Sequence, residues 1–220
     1  MQCIKDTIKN INIVIGCSIG CSYCYARMNN NRFHTIDDFN KPVFFENKLK
    51  MLDNKRHTAY LLTGQSDLSG WNEEWKDKVF SKMKENKNTQ YIFLTKRPEN
   101  INLKETPDNG WFGVTVTSSK EKTRIDYLRN NIKAKHYHIT FEPMFDDVGK
   151  LDLNNISWIV IGTETGNRKG KISSKREWVF NIYNQAKEKN IPVFMKEDLL
   201  GILNEDEFVQ EFPKEFGGIK

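Results

Sequence analysis

The chain has 220 residues, 38% hydrophobic and 29% charged, which suits one domain with a sizeable core and excludes a disordered or low-complexity chain. No apolar run approaches the roughly 20 residues that a membrane-spanning helix needs, and the opening Met1-Gln-Cys-Ile-Lys-Asp has no signal-peptide character, so a cytoplasmic protein with no membrane role is expected. The net charge of +5 is dispersed, which helps anions approach without outlining a nucleic-acid footprint.

In chain order, strand-like runs rich in β-branched and aromatic residues fall at 11–15, 59–63, 91–95, 112–117, 136–141, 158–162 and 191–195. Amphipathic stretches lie between them: Phe45, Leu49 and Leu52 share one helical face, as do Trp75, Val79 and Met83, and Trp178, Ile182 and Ala186. Ser118 with Glu121, and Ser174 with Glu177, read as capping boxes that start two of the later helices. Seven strands alternating with helices predict an α/β fold with a parallel sheet, because near-continuous apolar strands are buried on both faces. No repeat or linker marks a boundary, so one domain over 1–220 is expected, with the alternating elements at about 11–200 and a C-terminal extension at about 201–220.

The strands tend to end in polar groups. These are Gly16-Cys17, Thr63-Gly64-Gln65-Ser66-Asp67, Thr95-Lys96-Arg97, Thr115 with Thr117-Ser118, Glu142, Thr163-Glu164 and Lys196-Glu197. Singly, each is as well explained as a turn or cap residue; together they line the C-terminal edge, where barrels and open α/β sheets assemble active sites. Glu142, Glu164, Lys196 and Glu197 suit either ligand contacts or internal ion pairs. The densest basic stretch, residues 167–176, reads as a solvated loop.

Cys17, Cys21 and Cys24 stand at C-x3-C-x2-C spacing, directly after the first predicted strand. Three thiolates on one tight loop suit three corners of an iron–sulfur cube and leave the fourth iron without a protein ligand. Gly16 and Gly20 suit a backbone folded closely around such a group. A structural zinc site is the competing reading: Cys21-x2-Cys24 is a zinc half-site, with Cys3 or His34 available as a further ligand, but no second C-x-x-C or H-x3-H follows.

The segment Cys-x3-Cys-x-Tyr-Cys-Tyr resembles the signature of the radical S-adenosylmethionine (SAM) superfamily, in particular the branch of spore photoproduct lyase and DNA-photolyase-like proteins. With Leu94-Thr-Lys-Arg-Pro98, Gly113-Val-Thr-Val116, Phe141-Glu-Pro143 and Ile161-Gly-Thr-Glu-Thr-Gly166, it also resembles a phage-associated radical-SAM-like family of unknown function. The resemblance implies a partial (βα)6-type TIM barrel with outer helices, and a four-iron, four-sulfur (4Fe-4S) cluster on Cys17, Cys21 and Cys24. That cluster would reductively split SAM to a 5′-deoxyadenosyl radical, which takes hydrogen from a nucleic acid or small molecule. It implies cofactor contacts from Tyr23 beside the adenine, from Lys96 at the SAM carboxylate and from Thr117 near the ribose. Gln65, Ser66 and Asp67 fall where the superfamily often has Gly-Gly-Glu, and Thr115, Glu142 and Glu164 share the same rim. Tyr25 flanks the last cysteine as a candidate in the chemistry. An external one-electron reductant of flavodoxin or ferredoxin type is implied, with a second radical SAM protein as a further partner. The residues alone leave two alternatives: a non-catalytic iron–sulfur partner, and a zinc-stabilised binding module.

Overall fold

The apolar runs pair side by side in the computed structural model, which describes residues 1–54 and 58–217; residues 218–220 of the expected C-terminal extension lie outside the described residues. A single helical turn, α1 (Ile4–Thr7), leads into the sheet at β1 (Ile8–Asn10). An antiparallel ribbon of β2 (Val14–Ile15) and β3 (Val43–Phe44) stands apart from that sheet and brackets the cysteine loop and α2 (Tyr25–Phe33). There follow β4 (Ala59–Leu61), α3 (Glu73–Glu85), β5 (Gln90–Thr95), β6 (Gly110–Thr115), α4 (Thr123–Asn131), β7 (His136–Phe141), β8 (Ile156–Ile161), α5 (Arg176–Glu188) and β9 (Val193–Met195). The main sheet runs β1-β4-β5-β6-β7-β8-β9, parallel throughout, and curls into a half-barrel.

Alternate residues of each strand face opposite sides, and both sides are apolar. On the outer side Val79 and Met83 of α3, Leu128 of α4 and Val179, Ile182 and Ala186 of α5 pack on Tyr91, Phe93, Phe112, Val114, Ile139 and Ile161. On the inner side Ile8, Ala59, Ile92, Trp111, Trp158 and Phe194 form a second cluster, sealed from below by Phe212 and Phe216. The Phe216 ring meets Trp111 at 4.7 Å and Trp158 at 5.2 Å, and the Trp158 indole donates to Glu211 O at 3.1 Å. Full burial of each such side chain contributes roughly 1.5–3 kcal/mol. The chain ends meet at this floor: Gln2 N–H donates to the Gln210 side chain at 2.7 Å, and that side chain donates back to Gln2 O at 2.8 Å.

The aromatic floor is overlain by a tight contact. Gly113 of β6 lies against the fully buried His138 ring of β7, whose Nε2 sits 3.0 Å from Phe93 O. A Cβ on residue 113 would fall 2.3 Å from that nitrogen.

Several expectations are corrected. The first sheet strand is Ile8–Asn10, not 11–15; residues 14–15 form the side ribbon because the chain bends away after Ile11 N–H donates to Leu61 O at 3.0 Å. The stripe of Leu49 and Leu52 is a 3-10 run, Glu46–Asp53, that buries Leu52. Neither expected capping box forms. Glu121 accepts instead from the Thr117 N–H and hydroxyl, both at 2.7 Å, and Ser174 gives its N–H and hydroxyl to the Thr163 hydroxyl at 3.1 and 3.0 Å. A capping box that was not expected joins Asn204 and Glu207. No helix separates β7 from β8, so the regular alternation lapses there. Within the C-terminal extension, Phe208 and Val209 pack against the outer cluster, and Phe212 and Phe216 against the inner one.

Candidate functional site

The cysteine loop begins where β2 ends. Gly16 has φ +114°, and a Cβ there would lie 2.9 Å from Pro42 Cα, so only glycine fits the turn. Its N–H donates to Gln65 O at 3.0 Å, and Cys17 N–H donates to Phe39 O at 2.6 Å, which seats the loop between the β4 rim and the segment returning to β3. Gly20, at φ +78°, turns the chain again. Cys24 then caps α2, its sulfur accepting from Arg27 N–H at 3.4 Å. Arg27 reaches back over the Phe39 ring, 5.0 Å from its centroid, to donate to Cys17 O at 2.7 Å, so the loop is held at both ends. Cys17 and Cys24 rest on an apolar pad of Ile15, Ala26, Ile36 and Phe39.

The three thiols are free, half-buried and close enough to interact. Burial raises the Cys17 thiol pKa, a backbone N–H from Ile19 opposes the rise, and the charges of Asp67, Cys21 and Cys24 add to it. In number and softness they fit three corners of an iron–sulfur cube. Among the described residues no three Cys, His, Asp or Glu side chains are gathered to hold a metal ion. The Cys24 sulfur accepts from the α2 amide, and Cys21 stands near enough to Tyr23 to raise its hydroxyl pKa. The expected donors Cys3 and His34 do not complete a zinc set either; the Cys3 thiol donates to Glu197 at 3.0 Å, and His34 terminates α2 in a left-handed conformation.

Around the loop stands part of the expected rim. The Tyr23 ring meets Phe145 edge-on at 5.4 Å and lies 5.7 Å below the Lys96 ammonium; burial first, then Cys21, pushes its hydroxyl pKa up. The Tyr25 hydroxyl donates to Gly64 O at 2.5 Å, and its pKa is raised by burial, then by Cys24 and Glu142, against Lys196. Lys196 is ion-paired with Glu142 and lies 3.3 Å from Asp198. Burial alone would lower the Lys196 pKa, but the two carboxylates overcome this and hold it raised; Asp198 is pushed up by burial and by Glu142, against Lys196. A carboxylate–ammonium–carboxylate cluster therefore stands beside the phenol that follows the last cysteine.

Other expected contacts are committed to the fold. Asp67 accepts from Ser69 N–H and hydroxyl, the Thr95 hydroxyl and Lys96 N–H at 2.6–3.0 Å, which leaves little capacity for a ligand. The Ser66 hydroxyl accepts from the Trp71 indole at 3.0 Å, and Gln65 contributes its backbone carbonyl to Gly16. Thr117 is clamped by Glu121, and Thr115 is buried with its carbonyl accepting from Arg124 at 2.8 Å. Glu164 is buried under Arg168, which donates from Nε at 2.5 Å and Nη2 at 2.8 Å and lowers the carboxyl's pKa; with the Ile172 N–H also on it, the carboxylate braces the 163–175 loop.

Sequence reasoning missed Arg27, Asp198 and His138. Period-two alternation could have found His138, since 136, 138 and 140 share one face of β7; Asp198 lies in the 3-10 turn after β9, where that pattern no longer holds. Nothing in the sequence singles out Arg27.

The sequence model of a family described as "Protein of unknown function (DUF5131)" matches residues 2–217. Among curated proteins the chain is similar to Lipase 1 of Staphylococcus aureus strains N315 and COL, 35% identical over 98 residues, or 44% of this chain and 14% of each lipase. The chain thus spans about a seventh of the length of the curated relatives it matches. No solved structure matches it. The resemblance to the radical SAM superfamily, its spore photoproduct lyase branch and its phage-associated relatives is corrected by these findings: the matching family is one without a stated function, and none of the matches is a radical SAM protein. Among the described residues, no helix is long and apolar enough to cross a membrane.

Proposed function

From the premise that the chain belongs to DUF5131, a family whose description states no activity, we propose that its cysteine loop holds a redox-active iron–sulfur cluster and that the protein is a SAM-cleaving enzyme. The observation that carries this reading is the loop itself. Three thiols lie within eight residues, their charges reach one another, and tyrosines, a lysine and a carboxylate–ammonium cluster from other rim segments stand around them. Cys17, Cys21 and Cys24 would hold the cluster, and the Cys24 sulfur can keep the α2 amide as a donor while it does so.

When bound, such a cluster supplies one electron, received from an external one-electron reductant, to the SAM sulfonium, so that the bond to the 5′-carbon breaks into methionine and a 5′-deoxyadenosyl radical, which takes a hydrogen atom from substrate. The chain's own residues bind and orient. Lys96 offers its ammonium to a carboxylate beside Tyr23, whose ring gives an apolar face for a nucleobase. Tyr25, about half exposed, is positioned by Gly64 O. Glu142, Lys196 and Asp198 balance charge in the mouth and offer polar contacts to a substrate. The half-barrel floor, closed by Trp111, Trp158 and Phe216, keeps water from entering from below.

Anaerobic loading with iron and sulfide, followed by dithionite and SAM, tests the proposal. Release of 5′-deoxyadenosine is expected, and Cys21→Ala should abolish both iron uptake and release. A cluster that forms without SAM cleavage would reduce the protein to an electron-transfer or partner role. One bound zinc with no iron uptake would overturn the reading.

A further inference from the structure

At the opposite end of the sheet from the cysteine loop lies an open cavity of about 870 Å³, between the C-terminal end of α3, the loop before β6 and the segment entering β7. Lys84, Lys87, Lys133 and Lys135 line it, with Glu105 and Asp108 as the carboxylates among its lining residues. The lysines come from positions about fifty residues apart, so no basic cluster is visible along the chain.

Their lack of partners is selective. On the same α3, Lys78 pairs with Glu46 and Glu74, Lys82 with Asp53 and Glu85, and Lys76 with Glu73. Among the described residues, none of the four cavity lysines forms an ion pair. The backbone beneath them is fixed. Asn109 donates to Met83 O, Asn86 O and Thr89 O at 2.8–3.1 Å, Lys133 N–H donates to Leu103 O at 2.8 Å, and the Tyr137 hydroxyl donates to Ile132 O at 2.6 Å. Rigid walls carrying unpaired ammonium groups around a wide opening suit a ligand with several negative charges, since lysine binds phosphate as a point charge and needs no forked geometry.

We propose that this cavity binds a ligand carrying two or more phosphate groups, in a site separate from the cysteine loop. Three probes test it on the full chain at low salt: inorganic tripolyphosphate, ATP and the oligonucleotide dT10, by titration calorimetry. Saturable one-to-one binding is expected, weakening as salt rises. Lys84→Gln with Lys133→Gln should lower affinity at least about fivefold at an unchanged thermal midpoint. Lys169→Gln with Lys171→Gln, in the exposed basic loop, should change it less than about twofold. Binding of dT10 with a salt slope reduced by about 1.4 in the cavity variant identifies a nucleic-acid backbone as the source. Binding of tripolyphosphate or ATP without dT10 identifies a small polyphosphate. No binding of any probe, equal affinity in the cavity variant, or an equal loss in the loop variant overturns the proposal.

Discussion

Gly113→Ala probes the contact that overlies the barrel floor. The added Cβ would lie 2.3–2.5 Å from three atoms of the His138 ring, and that ring is only 1% exposed, with its Nε2 3.0 Å from Phe93 O. Either the ring leaves its carbonyl, at a cost of about 1–3 kcal/mol for a buried polar group left unpaired, or β6 and β7 separate, at about 1–3 kcal/mol of overpacking strain. By either route the loss should be about 1–3 kcal/mol, which for a chain of this length lowers the thermal midpoint by about 2–12 °C. His138→Ala alone also destabilises, by removing a packed ring, but in the double variant alanine 113 has room. The two substitutions should therefore be strongly non-additive, with the double variant more stable than the sum of the singles predicts by at least about 1 kcal/mol. Scanning calorimetry of the four proteins checks this; simple additivity, or a Gly113→Ala midpoint within a degree of the parent, would refute the argument.

Four further outcomes follow from the same structure. Burial lowers the His138 pKa from 6.5 to about 4, partly offset by the Phe93 and Trp111 backbone, so the unfolded chain binds the extra proton between those values. Stability should fall by about 3 kcal/mol as pH drops from 6.5 to 4, and His138→Gln should flatten that part of a midpoint-against-pH curve. Lys196→Met leaves Glu142 and Asp198 without their shared cation and should cost about 1–3 kcal/mol, much of it recovered by adding Glu142→Gln and Asp198→Asn, as read by thermal melts. Asn109→Ala removes the amide that ties Met83 O, Asn86 O and Thr89 O together; the first two still accept from Asn86 and Thr89 N–H, so the loss of the bond to Thr89 O should lower stability by about 1–3 kcal/mol in the same assay. Cys17→Ser should keep the fold, by circular dichroism, while iron loading falls, because the loop is seated by the backbone of residue 17 rather than by its sulfur.

Six of the sheet's seven strands were legible because each is a dense apolar run whose both faces are buried; His136–Phe141 was read to the residue. The first was misplaced because residues 11–15 are as apolar as a strand, and only the hydrogen bonds to the β4 rim reveal that the chain turns aside there. The expected capping boxes failed because Thr117, next to Ser118, takes the Glu121 carboxylate four residues on, and because Ser174 turns back to the Thr163 hydroxyl eleven residues earlier. At the site, the cysteine loop was visible from spacing alone. That Asp67 and Glu164 are tied into the scaffold was not, since it takes Thr95 and Arg168 in three dimensions to occupy their oxygens. The four cavity lysines were invisible for the opposite reason: they meet only once β5, β6 and β7 lie side by side.

The reciprocal bonds between Gln2 and Gln210 join residues 208 positions apart, and Phe216 seals the aromatic cluster beneath the sheet. Closing a loop that long carries a large chain-entropy cost that only the assembled strands can offset. During synthesis the helices and central strands can dock as they emerge, while the underside stays open until residues 210–216 have left the ribosome. Up to that moment Trp111 and Trp158 are uncovered, and this is the interval in which the nascent protein is most exposed to self-association and to chaperones.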